Sequence, residues 1–328
     1  MYALTKFPVA RETAQHIAAA HLDERAAIQQ YTELSDGMYN AAYLIELTDG
    51  RRAVLKVAPP EHVRVLRYEK NILRAEVEVL RLVGAQTEVP VPAVLAYDTS
   101  RRLIDTDYCL LAYIPGVSLH KLRPHLTAAD QHALDFRTGE YLRCLHTLAG
   151  PAFGYFAQPA LQLPTWRAAL TSMFEHLLQD GREAGVELPC HYPDLAARWQ
   201  AASAVLDEVP RPTLVHWDLW DGNIFVDPET RQITGLLDWE RAVWADPLME
   251  VNFGAFGLNP AVVEGYGADL LATPAAQLRR TLYNIYLWLI MIIECTYRRY
   301  ETKAQEDWAR LKLIDEMEKL PPAETAGG

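Results

Sequence analysis

"LVHWDLWDGNIFV" at residues 214–226, followed by "ITGLLDWE" at 233–240, decides how the rest of the chain is read. Leu214, Val215, Ile224, Phe225, Val226, Leu236 and Leu237 read as strand, so His216, Asp218, Asp221, Asn223 and Asp238 fall at strand ends of one apolar hairpin. Acids and amides crowded in such a place are costly unless they bind something positive. Asn223 and Asp238 offer oxygen donors only, the set that a hard cation such as Mg²⁺ prefers. Mg²⁺ is normally held by one or two carboxylates plus substrate phosphates, so the pair reads as an incomplete site that a nucleotide would finish. Asp218 is then left as a base able to accept the proton of an attacking hydroxyl.

The chain of 328 residues exceeds the usual size of a single-core domain, and two lobes are expected. Its 31 Lys and Arg against 43 Asp and Glu give a net charge of −12, which argues against nucleic acid as a partner. Cys109, Cys144, Cys190 and Cys295 are widely spaced and read as reduced core residues, not as a disulfide framework or a zinc site. The opening "MYALTKFPVARETAQ" has no apolar core of signal-peptide length. "IYLWLIMII" at 285–293 is too short to span a bilayer and reads as a buried helix. A soluble cytoplasmic protein with no membrane partner is the expectation, and oligomeric state leaves no readable signal.

Residues 11–30 have helical composition, and two apolar runs around Thr48-Asp49-Gly50 predict a β-hairpin. The spacing predicts a helix over 66–84 that ends at Gly84, then extended chain at 89–98 and a strand at 107–116 stopped by Pro115-Gly116. From about 117 the pattern is helical, with long stretches at 127–149, 164–182 and 193–208. The hairpin at 213–240 is the one expected β interruption, and "PPAETAGG" at 321–328 reads as a frayed tail. A small β-rich front part thus precedes a larger helical part, a layout that suits a ligand held between lobes.

His-x-Asp, then Asn, then an Asp on the following strand resembles the catalytic and metal-binding loops of the aminoglycoside phosphotransferase and choline kinase-like family, small-molecule relatives of protein kinases. The resemblance implies an α+β, protein-kinase-like fold, with residues 1–113 as nucleotide-binding lobe and 114–328 as catalytic and acceptor-binding lobe. It implies Asp218 as catalytic base, Asn223 and Asp238 as Mg²⁺ ligands, and ATP as phosphoryl donor. Lys56 in "AVLKV" resembles the strand lysine that meets the nucleotide phosphates. Glu76 in "LRAEVEVLRLV" resembles its helix partner, in competition with Glu69 and Glu78. "CLLAYIPGVSL" resembles the interlobe hinge, where main-chain groups around Leu111, Tyr113 and Ile114 would meet the adenine. "LHTLAGPAFGY" and "WADPLMEV" resemble further family segments, with Asp246 as a brace of the catalytic loop.

The chain departs from the family pattern twice. Trp217 stands where a small residue is usual and could narrow the acceptor site, and residues 35–45 contain one glycine, so a Gly-rich phosphate loop is not visible. His216 is expected to be a structural hydrogen-bonding residue, Asp221 a turn residue, Trp217 and Trp220 packing or cleft wall, and His146 core. The implied activity is transfer of a γ-phosphoryl group to a hydroxyl of a small molecule: aminoglycoside-like, an amino alcohol or a sugar amine. The alternatives are a catalytically inactive kinase-fold binder and a protein kinase. Against the latter, no Ala-Pro-Glu segment is present and the run from Asp238 to Asp246 is short.

Overall fold

The computed structural model describes residues 6–34, 39–300 and 302–322. The first helix, α1 (Arg11–His21), is followed by β1 (Ile28–Glu33), β2 (Ala41–Leu47) and β3 (Arg52–Val57). Gly50, at φ +85°, turns β2 into β3, a backbone conformation that suits a residue without Cβ. After α2 (Ile72–Gln86) come β4 (Val94–Asp98) and β5 (Tyr108–Ala112), which complete an antiparallel sheet of order β1-β2-β3-β5-β4.

The period of two sorts this sheet into two faces. Ala53, Leu55 and Val57 of β3 join Tyr108 and Leu110 of β5 in a core with Ala14, Ile17 and Ala18 of α1. Cys109 and Leu111 go to the other face, in a core with Val77, Leu80 and Val83 of α2. Lys56 lies between Leu55 and Val57 on β3, so alternation turns it toward α2. That is the geometric reason a strand lysine can meet a helix glutamate.

Beyond β5 the chain continues through β6 (Val117–Ser118), α3 (Leu119–Leu122), α4 (Ala128–Leu145), β7 (Gly154–Tyr155), α5 (Trp166–Glu183) and α6 (Tyr192–Ala202). Then follow β8 (Thr213–Val215), β9 (Ile224–Val226), β10 (Ile233–Leu236), β11 (Val243–Ala245), α7 (Pro260–Tyr266), α8 (Pro274–Arg298) and α9 (Ala304–Met317). Thr127, Thr165 and Thr273 cap α4, α5 and α8 by accepting N–H groups of the first turn. α8 is buried along nearly its whole length, as its all-round apolar composition requires. No helix among the described residues is long and apolar enough to cross a membrane.

Three expectations are corrected. Residues 28–33 form a strand, because "IQQYTE" pairs with β2 despite a composition that suits a helix. The helix expected over 66–84 is split: Arg67–Glu69 is a 3₁₀ turn, Asn71 is left-handed at φ +63°, and α2 runs on past Gly84 to Gln86. The segment 213–240 is not one hairpin. β9 pairs with β10 and β6, whereas β8 pairs with β11, which pairs with β7. Strands of two to four residues bury too little to leave a sequence signature, which is why β6, β7 and β11 went unseen. Residues 35–38 of the glycine-poor segment and 323–328 of the expected tail lie outside the described residues.

Candidate active site

Asn223 immediately precedes β9 and Asp238 closely follows β10, and the antiparallel pairing of Ile224 with Leu236 brings the two ends together. Leu237 N–H donates to the Asn223 carbonyl at 2.8 Å, fixing that junction. Asp238 sits at φ +67°, a left-handed conformation that Asp tolerates better than most residues. Its Oδ1 lies 3.0 Å from Lys56 Nζ. Lys56 Nζ also reaches Glu76 Oε1 at 2.6 Å and Oε2 at 2.9 Å. Of the three helix-region glutamates considered, Glu69 pairs with Arg298 at 2.6 Å, Glu78 pairs with Arg74 at 2.7 Å on the surface, and only Glu76 meets Lys56.

Glu240 joins this group. Oxygen atoms of Glu76, Asp238 and Glu240 all lie within 4.8 Å of one another. Burial works against the Lys56 ammonium, but Asp238, Glu76 and Glu240 outweigh it and hold its pKa well above the ordinary value. Burial also opposes the Asp238 carboxylate, yet Lys56 keeps its pKa below normal. Burial and the neighbouring Asp238 push the Glu240 pKa well up, and its Oε2 accepts from Asn40 Nδ2 at 2.7 Å.

Asp218 lies in the turn between β8 and β9, half-buried. Burial lifts its pKa to about 7, with Arg241 opposing the rise and Asp238 adding to it. Its carbonyl accepts from Asn223 Nδ2 at 2.8 Å, so the amide oxygen is the end of Asn223 that could meet a cation. An oxygen-only set of Asn223 and Asp238, with an excess of buried carboxyl groups around one ammonium, fits a hard divalent cation.

His216 is fully buried, and its ring Nε2 lies 3.0 Å from the Leu237 carbonyl while Nδ1 accepts from Asp218 N–H at 3.3 Å. These partners require Nε2 to carry the proton, and burial lowers the pKa, so the ring is neutral. It orders the loop, consistent with the structural role expected of it. Of the two roles expected of Trp217, packing is the one found: it is fully buried at φ +69°, with its ring centre 6.2 Å from that of Tyr286. Trp220 is 44% exposed, and its indole covers Gly222 where any Cβ would collide. Asp221 opens a 3₁₀ turn and also pairs with Arg123, which in turn holds Asp135 at 2.8 Å.

The loop is braced by Glu250, a residue the sequence did not single out. Its Oε1 accepts from His216 N–H at 2.6 Å and its Oε2 from Trp217 N–H at 3.1 Å, with the side chain wholly buried. Asp246, expected in that role, instead accepts from Leu248 N–H at 3.1 Å, Arg279 Nε at 2.9 Å and Tyr283 hydroxyl at 2.7 Å. Among the residues expected at a hinge, Leu111 is buried inside β5, paired with Val54 and Val94. The chain leaves the sheet at Tyr113, whose ring lies 3.9 Å from the Arg52 guanidinium, and Ile114, which packs against Gly235.

Comparison with known proteins matches residues 30–282 to the phosphotransferase enzyme family. The chain is 28% identical over 236 residues to mouse acyl-CoA dehydrogenase family member 10, covering 67% of this chain but 20% of that protein. It therefore spans about a fifth of that relative. It is 25% identical over 276 residues to the "Probable ketoamine kinase" of Synechocystis sp., covering 79% of this chain and 82% of that one. Its fold is shared with aminoglycoside phosphotransferase APH(4)-Ia, solved with AMP-PNP and hygromycin B (TM-score 0.66, 18% identity, 93% and 98% of the two chains). It is shared equally with aminoglycoside 2'-phosphotransferase-IIIa, solved with GDP (TM-score 0.67, 15% identity, 95% and 99%).

Proposed function

The chain belongs to the phosphotransferase enzyme family, small-molecule kinases of the protein-kinase-like fold, and from that premise we propose that it moves the γ-phosphoryl group of ATP to a hydroxyl of a small molecule. The observation that carries this reading is the meeting of Lys56, Glu76 and Asp238 at 2.6–3.0 Å, next to Asn223 and Asp218. A binding protein with no chemistry to perform gains nothing from bringing an ammonium, a metal-type ligand pair and a carboxyl poised near neutrality together.

In this reading residues 1–113 bind the nucleotide and 114–328 supply the catalytic loop and the acceptor site. Main-chain groups around Leu111, Tyr113 and Ile114 meet the adenine, and Lys56, oriented by Glu76, meets the phosphates. Asn223 and Asp238 would hold Mg²⁺, which when bound supplies positive charge to the phosphate oxygens. Asp218 orients the acceptor hydroxyl and takes its proton as the oxygen attacks phosphorus. Neutral His216 keeps the Asp218 backbone in place, and Glu250 fixes the two peptide groups before it.

The acceptor is proposed only as a class: an aminoglycoside-like compound, an amino alcohol or a sugar amine. The ketoamine kinase relative favours the last of these. A panel of such hydroxyl compounds, assayed for ADP release with ATP and with GTP, tests the reading. Turnover of none of them, together with no Mg²⁺-dependent nucleotide binding, would leave the inactive binder as the better description.

A further inference from the structure

A second charged group gathers around Glu294, beside Asp218. Glu294 Oε2 lies 3.1 Å from Arg241 Nη2 and 3.2 Å from Arg298 Nη2, and Oε1 accepts from Gln305 Nε2 at 2.9 Å. Arg298 Nη2 also reaches Glu69 Oε1 at 2.6 Å. The Arg241 guanidinium stands 5.8 Å from the ring centre of Tyr68. Three separate parts of the chain thus converge: the 3₁₀ turn Arg67–Glu69 before α2, the turn Trp239–Arg241 after Asp238, and the end of α8.

The carboxylates here are engaged, whereas the donors are engaged only in part: Arg298 Nη1 donates to the Tyr300 hydroxyl at 3.1 Å and its Nη2 to Glu69, but other N–H and O–H groups are left over. Tyr68 is 6% exposed and Arg298 4%, yet the Tyr68 hydroxyl and Arg298 Nε have no hydrogen-bond partner among the described residues. Arg241 presents a fork of N–H groups of which Nη2 alone is hydrogen-bonded among the described residues. Unsatisfied buried donors are rare and costly, so donors grouped in one place point to an acceptor atom that binds there. Arg241 also supplies the strongest opposing charge acting on Asp218, so the group adjoins the proposed base.

We propose that Tyr68, Arg241 and Arg298 form an oxyanion subsite next to Asp218, which receives a carboxylate or phosphoryl oxygen of a reactant. A planar guanidinium fork matches either group, and the phenol adds a third donor. Two sources share this chemistry: an oxyanion on the acceptor near its reacting hydroxyl, and the γ-phosphoryl oxygens of the nucleotide. The subsite rests on the phosphotransfer reading for its purpose, but its affinity for an oxyanion does not depend on turnover.

Calorimetry of inorganic sulfate, Mg·ADP and Mg·AMP-PNP with the wild type, Arg241→Met, Arg241→Lys and Tyr68→Phe tests the proposal, together with KM values for hydroxy acids and matching amino alcohols. Arg241→Met is expected to weaken sulfate, and either AMP-PNP or the hydroxy acid, by about tenfold or more, leaving Mg·ADP and the amino alcohols within about twofold. Arg241→Lys should recover part of the loss. Tyr68→Phe, which keeps the ring and its packing, should give a smaller loss in the same direction. Loss confined to AMP-PNP identifies the γ-phosphoryl source, and loss confined to hydroxy acids identifies the acceptor. Affinities that stay unchanged in Arg241→Met, or that fall equally for Mg·ADP and amino alcohols, overturn the subsite. Absence of all turnover in the wild type would count against the phosphotransfer reading alone, because sulfate binding would still report on Arg241.

Discussion

Asp218→Asn tests the proposed chemistry most directly. The carboxyl group has a pKa of about 7, raised by burial, and a general base acts only when deprotonated. At that value about half of the Asp218 population is charged at pH 7, about a tenth at pH 6 and about nine-tenths at pH 8. Wild-type kcat/KM should therefore fall with decreasing pH, steepening to about tenfold per unit below pH 6 or so. A group required in its protonated form would give the opposite slope. Asparagine keeps the shape of the side chain but accepts no proton, so kcat should drop about 10²–10⁴-fold, or roughly 3–5 kcal/mol of barrier. A loose transition state with late proton transfer places the loss toward the lower end. ADP release measured from about pH 5.5 to 8.5 gives the profile, and calorimetry should show Mg·nucleotide affinity nearly unchanged. Asparagine turnover within about threefold of wild type, or a wild-type profile flat between about pH 6 and 8, would remove Asp218 as the base.

Lys56→Ala should weaken Mg·ATP binding or turnover strongly, since it leaves buried Glu76 and half-buried Asp238 without their ammonium, and Glu76→Ala should do so more mildly; damage from Glu69→Ala or Glu78→Ala instead would misplace the nucleotide pair. Asp238→Ala should abolish the Mg²⁺-dependent part of nucleotide binding in a folded protein, and calorimetry that finds unchanged Mg·ATP affinity contradicts the metal assignment. Glu250→Ala strips two buried N–H groups of their acceptor, at about 1–3 kcal/mol each, so urea unfolding should report a loss of about 2–6 kcal/mol. Glu250→Asp should fall between, and a stability unchanged in Glu250→Ala would mean that water replaces the carboxylate.

The parts of this architecture legible in the sequence were those written in local spacing. Thr48-Asp49-Gly50 announces its turn because only the turn needs positive φ at Gly50. Asp218, Asn223 and Asp238 are close in sequence and flanked by apolar strand residues, so their juxtaposition could be read before any coordinates. The pairing of Lys56 with Glu76 needed the resemblance, because alternation fixes the direction of Lys56 but not which helix glutamate it meets. Glu250, Arg241 and Tyr68 carried no signal, since each matters through partners distant in the chain. Glu250 braces backbone 33 and 34 residues earlier. The β1 strand was hidden for a different reason: it lies at a sheet edge, where half-exposed Gln and Glu are permitted and mimic a helix.

Lys56 is joined directly to both Glu76 and Asp238, and this has a consequence for control. Regulated members of a kinase fold can hold the equivalent ion pair apart and spend an activation event on closing it. To switch this chain off through that pair, an effector would have to separate a buried ammonium from its carboxylates, which is costly. Output should then follow the amount of protein and the supply of acceptor, with response times set by synthesis and by metabolite flow. A single-turnover burst on first mixing with Mg·ATP and acceptor, free of any lag, is the kinetic mark of such a catalyst.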